Sequence, residues 1–255
     1  MSNVLTAFNT IVIKEMSRVI RIWPQSLLPP VITMTLYFVI FGTFIGSRVG
    51  MLDGVPYILY ITPGLIMMSV INNAYTNVSS SFYGAKFARN IDEILVAPVP
   101  EYVILWGYVG AGMLRGLLTG ILVLIVATFF THISIQHLPL MLLVIILSSA
   151  LFSIAGLING LIANKFDDVM IVPTFVIMPL TYIGGIFYSI NQLPPFWRDI
   201  SKANPILYLI NAFRYSMIGS ADVPVWIAMT MIAFFLILFY TVAITMLKRG
   251  YGLRS

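Results

Sequence analysis

The chain has 255 residues, of which 60% are hydrophobic and only 9% are charged, and its mean hydropathy is +0.98. A chain this apolar cannot cover itself with polar surface in water, which excludes a soluble globular protein and places the chain in a bilayer. The absence of cysteine excludes disulfides and thiolate chemistry, and the net charge of +5 is better explained by membrane orientation than by nucleic-acid binding.

Residues 1–23 precede the first apolar segment and are predicted to form an amphipathic helix. Apolar side chains recur there at intervals of three and four, opposite a polar side that carries Lys14, Arg18 and Arg21. The apolar stripe consists of Leu5, Phe8, Val12, Met16, Val19 and Trp23. We expect this helix to lie along the cytoplasmic interface, either as a plain membrane anchor or as a docking surface.

Six segments are long and apolar enough to cross a bilayer, which needs about 20 mostly apolar residues. They lie near residues 26–46, 56–82, 102–129, 139–163, 169–190 and 224–247. The third contains Arg115, and the fifth contains Pro173 and Pro179, so these two are predicted to be irregular.

The connectors predict that both termini face the cytoplasm. On that side would lie nine cations, Lys14, Arg18, Arg21, Lys86, Arg89, Lys165, Lys248, Arg249 and Arg254. The outer side would hold four, Arg48, Arg198, Lys202 and Arg214. This bias follows the positive-inside rule.

The connector between the second and third spans holds an unusual share of the charges. Residues 85–100 read AKFARNIDEILVAPVP, in which Phe87, Ile91, Ile94 and Leu95 recur at i, i+4, i+7 and i+8. This spacing predicts a short amphipathic helix over residues 85–96, ended before Pro98. The helix is either a solvated connector or a contact for a partner.

The residues needed for several kinds of chemistry are missing. No phosphate-binding loop occurs, no Asp or Glu falls within a span, and His132 and His137 stand in a short loop without acidic neighbours. We therefore expect no catalytic residue, no metal site and no enzyme activity. Uphill transport would need energy from a partner.

Arg115 lies near the middle of its span and requires polar partners there. Asn72, Asn73 and Thr76 of the second span come at comparable depth, so Arg115 is either a structural residue bound by them or a group that meets anionic substrate. In the same span Gly112, Gly116 and Gly120 form a small-residue face, for packing within the chain or for a dimer seam.

The long connection from Gly184 to Pro224 contains apolar blocks that are too short to span. Non-helical backbone at membrane depth requires shielding by protein or water. We expect this connection to fold back into the outer leaflet against the other helices.

Several stretches together resemble the permease subunits of type-2 ABC exporters. They are LPPVITMTLYFVIFGTFIG, PGLIMMSVINNAY, FARNIDEILVAPVP, FDDVMIVPTFVIMPLTYIGGIFYSINQLPPFW and NPILYLINAFRY, and they cover most of the chain in family order. The resemblance implies an all-α membrane protein with six transmembrane helices and both termini inside. It also implies one permease domain over 1–255, with an interfacial connecting helix at 1–23, a coupling helix at 85–97 and an outer re-entrant segment at 184–215.

The same resemblance implies a homodimer in lipid that docks two copies of a cytoplasmic ABC ATPase, with Mg-ATP bound by that partner and no cofactor in this chain. The coupling helix would bury apolar residues in the ATPase, with charges at the rim and support from the connector NKFDD at 164–168. The implied coupling residues are Lys86, Phe87, Arg89, Asn90, Ile91, Asp92, Glu93, Leu95, Pro98, Asp167 and Asp168.

A translocation path between two subunits would be lined by the first, second and fifth spans. Candidate lining residues are Phe38, Phe41, Asn72, Phe175, Met178, Tyr182 and Phe187. These side chains suit a hydrophobic or amphipathic substrate, although the same residue types are ordinary lipid-facing filler. Two other functions remain open, an ATP-independent channel or secondary carrier and a membrane assembly scaffold.

Overall fold

The computed structural model describes residues 2–91 and 99–252. An N-terminal helix, Ser2–Arg21, is followed by six helices that are long and apolar enough to cross a membrane. We number these spans 1 to 6: Trp23–Val49, Tyr57–Phe87, Glu101–Thr128, Leu138–Ile162, Phe166–Ile183 and Val225–Lys248. The predicted number of spans is confirmed. Span 5 ends at Ile183, before the predicted residue 190, because the backbone turns at Gly184–Gly185.

Span 2 is the centre of the bundle and is buried along most of its length between spans 3 and 4. Glycines allow the close approach. A Cβ atom on Gly112 of span 3 would lie 2.4 Å from Val78, and one on Gly156 of span 4 would lie 2.4 Å from the carbonyl oxygen of Tyr75. Gly116 and Gly120 likewise meet Val70 of span 2. The glycine face of span 3 therefore packs within its own chain.

Spans 1 and 5 each contain a π-helical stretch. In span 1 it covers Phe38–Ile45, after the interior prolines Pro29 and Pro30. In span 5 it covers Pro173–Ile177. Few residues of either span are buried within the chain. The irregular geometry predicted for span 5 is confirmed, whereas span 3, which carries Arg115, is an uninterrupted α-helix.

The N-terminal helix packs on span 3 through a face that overlaps the predicted apolar stripe only in part. Ile11, Glu15 and Val19, at i, i+4 and i+8, are buried, and Ile11 fills the space above Gly107. Leu5, which belongs to the predicted stripe, is 63% exposed. Of the predicted stripe, Val19 is buried and Leu5 is exposed, so the buried face is shifted toward Ile11 and Glu15.

Two short connector helices separate spans 5 and 6. The first, Pro195–Lys202, is amphipathic and mostly exposed. The second, Pro205–Ile218, is almost completely buried against spans 2, 4 and 6. Its 14 residues extend about 21 Å, less than the roughly 30 Å of a hydrocarbon core. The short apolar blocks of this connection are thus helices that do not span.

Span 2 ends at Phe87, beyond the predicted residue 82, and so includes the first residues of the predicted coupling helix. Its last turn contains Lys86 and Phe87, and it ends in a turn at Ala88 and Arg89, where Arg89 has a φ of 58°. The chain is helical again at residues 90 and 91. The prediction that the coupling helix starts at residue 85 is therefore wrong. Of the predicted coupling residues, Asp92, Glu93, Leu95 and Pro98 lie outside the described residues.

Candidate functional site

The two connectors predicted to face the cytoplasm meet through an aromatic pair. Phe87 at the end of span 2 and Phe166 at the start of span 5 have ring centroids 5.1 Å apart at 62°. Tyr83 supports both, with its ring 4.9 Å from Phe166. Phe87 is 67% exposed and Phe166 is 56% exposed. Large exposed aromatic side chains at the end of a bundle are typical of contact surfaces.

Lys86 has a structural task at this end of the bundle. Its Nζ donates hydrogen bonds to the carbonyl oxygens of Leu161 and Ala163, at 3.0 and 2.8 Å. These carbonyls belong to the last turn and C-terminal cap of span 4, where a cation is favoured. Lys86 therefore caps span 4. The family resemblance implied a different position, at the rim of an ATPase contact.

Ile91 is also turned toward its own chain. It is 2% exposed and packs in a cluster with Phe82, Leu161 and Leu247. Ile91 is thus enclosed by its own chain, which favours a supporting role for it over insertion into a partner. Its neighbours Arg89 and Asn90 are exposed.

The second connector is held in shape by a carboxylate. One oxygen of Asp168 accepts hydrogen bonds from the backbone N–H groups of Asn164 and Lys165, at 2.9 and 3.0 Å. This capping arrangement fixes the start of span 5 and presents Phe166 and Asp167 outward. We call Phe87, Arg89, Asn90, Phe166 and Asp167 the aromatic end surface.

Arg115 has polar partners from two other spans. Its guanidinium donates to Oδ1 of Asn73 at 3.3 Å, to Oδ1 of Asn77 at 3.5 Å and to the carbonyl oxygen of Ser26 at 3.5 Å. Asn73 was predicted, whereas Asn77 and Ser26 were not.

The other two predicted partners of Arg115 bond within their own helix. The Asn72 amide donates to the Met68 carbonyl oxygen, and the Thr76 hydroxyl donates to the Asn72 carbonyl oxygen. The prediction that they contact Arg115 is wrong, because one residue along a helix turns a side chain by about 100°.

The same polar cluster extends to the N-terminal helix. Arg18 donates to Oδ1 of Asn77 at 2.9 Å and to its backbone oxygen at 3.1 Å, and it pairs with Glu15 at 3.2 Å. Glu15 is 2% exposed and also accepts a hydrogen bond from Ser81. Sequence reasoning missed Glu15, although its spacing from Ile11 and Val19 places it on their face.

Four of the aromatic side chains near the proposed path form one group, drawn from span 1, span 5 and the connection just after span 5. The hydroxyl oxygens of Tyr37 and Tyr182 are 3.0 Å apart, and Phe41 stacks on Phe187 with centroids at 4.5 Å. Phe187 also stacks on Tyr182. These residues bring the predicted Phe41, Tyr182 and Phe187 together.

The other four predicted lining residues are Phe38, Asn72, Phe175 and Met178, of which Asn72 is half-buried. Phe175 is 73% exposed, and Met178 is exposed on the same span. Phe38 is fully buried and stacks on Phe130, with centroids 5.5 Å apart. A side chain enclosed by its own chain cannot line a path between subunits, so Phe38 is left out of the proposed lining of the path.

A second buried charged cluster joins the connector helices to span 2. Arg214 is completely buried, with its guanidinium carbon 3.9 Å from the centre of the Tyr60 ring. It donates to the Tyr60 hydroxyl at 2.9 Å and to the carbonyl oxygens of Tyr60 and Gly185, and it lies 3.7 Å from Asp222. Burial lowers the pKa of the guanidinium, while Tyr60 and Asp222 oppose that shift.

Asp222 completes this cluster. Its carboxylate accepts hydrogen bonds from Tyr60, from Ser189 and from the backbone N–H of Ile190, while its own N–H donates to Asn211. The positive-inside pattern assigns Arg214 to the outer side as an ordinary loop cation. No local pattern reveals the pairing of Arg214 with Asp222, because the partners come from four separate segments.

Comparison with known proteins decides the family. The family described as "ABC-2 type transporter" matches residues 6–218. The chain belongs to the ABC-2 type transporter family. It is 53% identical over 249 residues to "Inner membrane transport permease YadH" of Escherichia coli strain K12, covering 98% of this chain and 97% of the relative.

More distant relatives share most of the length. The permease is 25% identical over 191 residues to "Nodulation protein J" of Rhizobium meliloti, covering 74% of this chain and 73% of the relative. It is 23% identical over 215 residues to "Nodulation protein J" of Rhizobium leguminosarum bv. viciae, covering 84% and 83%. Permeases of this family generally work with a separate ATPase subunit, and family membership suggests a non-catalytic transport subunit.

Proposed function

We propose that the permease is the membrane subunit of an ATP-driven exporter, working as a homodimer that docks two copies of a cytoplasmic ABC ATPase. Family membership supports a transport permease. The observation that carries the ATPase-driven reading is the aromatic end surface, where Phe87 and Phe166 stand exposed beside charged residues.

The permease is a multi-pass protein of the inner membrane, as its six apolar helices and its similarity to an inner-membrane transport permease indicate. We propose that both termini face the cytoplasm. The sequence assigns nine cations to the cytoplasmic side and four to the outer side, and one of the outer four, Arg214, is buried within the chain. The connector helix Pro205–Ile218 would then be re-entrant from the outer side, shielded by spans 2, 4 and 6.

The ATPase would contact the aromatic end surface through Phe87 and Phe166. Arg89 and Asp167, of opposite charge, would orient the partner at the rim of this contact. Lys86, Asp168 and Ile91 would act indirectly, because they hold the connectors in place from inside the chain. Mg-ATP would be bound by the partner, and this chain would contribute no cofactor site.

The path would run between two copies of the chain, along spans 1 and 5. Both spans are mostly exposed in one chain. Tyr37 of span 1 contacts Tyr182 of span 5, and Phe41 of span 1 stacks on Phe187 just after span 5. Phe175 and Met178 extend the same lining. Aromatic and thioether side chains favour a hydrophobic or amphipathic substrate.

The test is purification of the tagged permease from its native membrane in mild detergent, with mass spectrometry of the proteins that accompany it. We expect an ATP-binding subunit at near-equal amounts. Phe87→Asp combined with Arg89→Glu should remove it, because the changes place repulsive charge at the contact. Phe196→Asp is the matched control, since Phe196 is as exposed as Phe87 but lies on the first connector helix.

The other functions give different results. If no ATPase accompanies the unchanged permease, the exporter proposal fails, and substrate movement by the permease alone in liposomes would establish a channel or carrier. If an ATPase binds but the reconstituted complex moves no substrate, the permease is an assembly scaffold. If the Phe196→Asp control loses the ATPase equally, the ATPase contact cannot be assigned to the aromatic end surface.

A further inference from the structure

We propose that the permease carries a binding site for an anionic phospholipid, away from the translocation path, on the face formed by spans 4, 5 and 6. One acyl chain would occupy an apolar cavity between these spans, and the headgroup phosphate would lie against Arg249 at the end of span 6. The site does not depend on the ATPase partner.

The apolar cavity has a volume of about 450 Å³ and lies between spans 4, 5 and 6, with Tyr75 of span 2 and the start of the second connector helix in its wall. Its walls include Phe152, Ala155, Val176, Leu180 and Phe239. This volume falls within the range of small-molecule sites, about 300–1,000 Å³. Because the cavity lies between membrane spans, the acyl chains of surrounding lipids are the molecules that can enter it.

A smaller cavity of about 310 Å³ continues along the same face of span 6. Val242 lines both cavities. Leu238, Val242, Thr245 and Arg249 follow one another at intervals of three and four, which places them on one side of the helix. The combined groove is therefore apolar at one end and contains a guanidinium at the other, which matches the chemistry of a phospholipid.

The cationic end of the groove is a defined structure. The backbone N–H of Tyr251 donates to the Met246 carbonyl oxygen at 3.0 Å, which folds the chain back after span 6. A Cβ atom on Gly252 would lie 2.0 Å from the Leu161 carbonyl oxygen, so this turn packs directly on the end of span 4. Tyr251 and Arg249 are thereby held at the mouth of the smaller cavity.

The charges at this end favour an anion. Arg249 follows Lys248, and within residues 2–91 and 99–252 neither makes an ion pair with a carboxylate. Cations at the cytoplasmic end of a span attract anionic lipids, at about 1 kcal/mol per residue near the surface, or a factor of about five in affinity. A headgroup with net negative charge is thus preferred over a neutral one.

An unpaired hydroxyl lies in the wall of the apolar cavity. Tyr75 is buried, and its hydroxyl approaches Asn159 without a hydrogen bond of ordinary geometry to any described residue. Asn159 lies three residues before the end of span 4, or about 5 Å along the helix. Tyr75 and Asn159 therefore form a polar part of the cavity wall near the end of span 4.

The cavity is distinct from the proposed path. Span 5 presents Val172, Val176 and Leu180 to the cavity. Phe175 and Tyr182, which belong to the proposed path, do not line it. One helix therefore serves two separate surfaces.

The test uses delipidated permease titrated with phosphatidylglycerol or with phosphatidylcholine of the same acyl chains, with bound lipid counted by native mass spectrometry. We expect phosphatidylglycerol to bind first, at one molecule per chain. Arg249→Gln should weaken its binding about fivefold. Lys14→Gln, which removes an exposed cation from the N-terminal helix, is the matched control and should leave binding within twofold.

Two variants block the acyl position. Ala155→Phe fills the cavity from span 4, and Val242→Trp closes the groove from the exposed side of span 6. Either variant should abolish the tight binding of phosphatidylglycerol. If Ala155→Phe does not fold, Val242→Trp alone tests the acyl position. The proposal is overturned if the two lipids bind equally, if Lys14→Gln and Arg249→Gln have the same effect, or if a folded blocking variant keeps the lipid.

Discussion

The guanidinium groups of Arg18 and Arg115 both donate to the Oδ1 atom of Asn77, at 2.9 and 3.5 Å. One residue comes from the N-terminal helix and the other from span 3, so a single amide of span 2 connects both elements. Among the described residues, Glu15 is the only carboxylate that pairs with either arginine. The attachment of the N-terminal helix to the bundle therefore depends on a buried carboxylate.

Replacing Glu15 with Gln should destabilise the permease by about 2 kcal/mol. Breaking a fully buried ion pair costs about 3–5 kcal/mol, and the effect is smaller here because Arg18 is partly exposed. The measurement is the midpoint of thermal unfolding in detergent. The double variant Glu15→Gln with Arg18→Gln should lose less stability than the sum of the single variants. Strict additivity would contradict the pairing.

Arg115→Leu is expected to reduce transport more than folded yield. The three hydrogen bonds of Arg115 measure 3.3–3.5 Å, longer than the usual 2.7–3.2 Å, so each contributes little to stability. Folded yield, followed by size-exclusion chromatography, should stay within about twofold, while the transport rate of the reconstituted complex should fall by about tenfold or more. A variant that no longer folds would assign Arg115 a purely structural role.

Lys86→Met should leave ATPase binding intact and lower stability by about 1 kcal/mol, because the change removes two hydrogen bonds from the end of span 4. Co-purification of the ATPase and the unfolding midpoint would be measured on the same samples. Arg89→Glu is the comparison and should show the reverse pattern, since Arg89 is exposed on the aromatic end surface. If Lys86→Met loses the ATPase without losing stability, Lys86 contacts the ATPase directly.

Arg214→Lys is expected to cost about 3 kcal/mol or more and to reduce folded yield sharply. A lysine lacks the planar set of donors that reaches the Tyr60 ring, the Tyr60 hydroxyl and Gly185 together, and it remains a buried charge. Yield would be compared with that of Lys202→Gln, a change at an exposed cation of the first connector helix, which should be neutral. Equal yields of the two variants would show that the buried cluster is dispensable.

The spans were predictable because about 20 apolar residues in a row leave few alternatives. All six occur, and only the ends of spans 2 and 5 differ from the expected positions by more than three residues. The pairing of Arg214 with Asp222 was not predictable, since charged residues in a connector normally face water. The start of the coupling helix was misplaced for a different reason. Phe87 and Ile91 have helical spacing, but the turn at Arg89, with its positive φ, is uncommon for that residue type.

The π-helical stretches divide the bundle into a stiff part and a compliant part. Spans 2, 3 and 4 meet through glycines with almost no spare space, so we expect them to stay together as one body. In spans 1 and 5 the i→i−4 hydrogen-bond ladder is interrupted at Phe38–Ile45 and Pro173–Ile177, where bending costs least. Flexing of these two helices against a fixed core would widen or narrow the space between subunits. The hinges would then lie in the helices that carry the path itself.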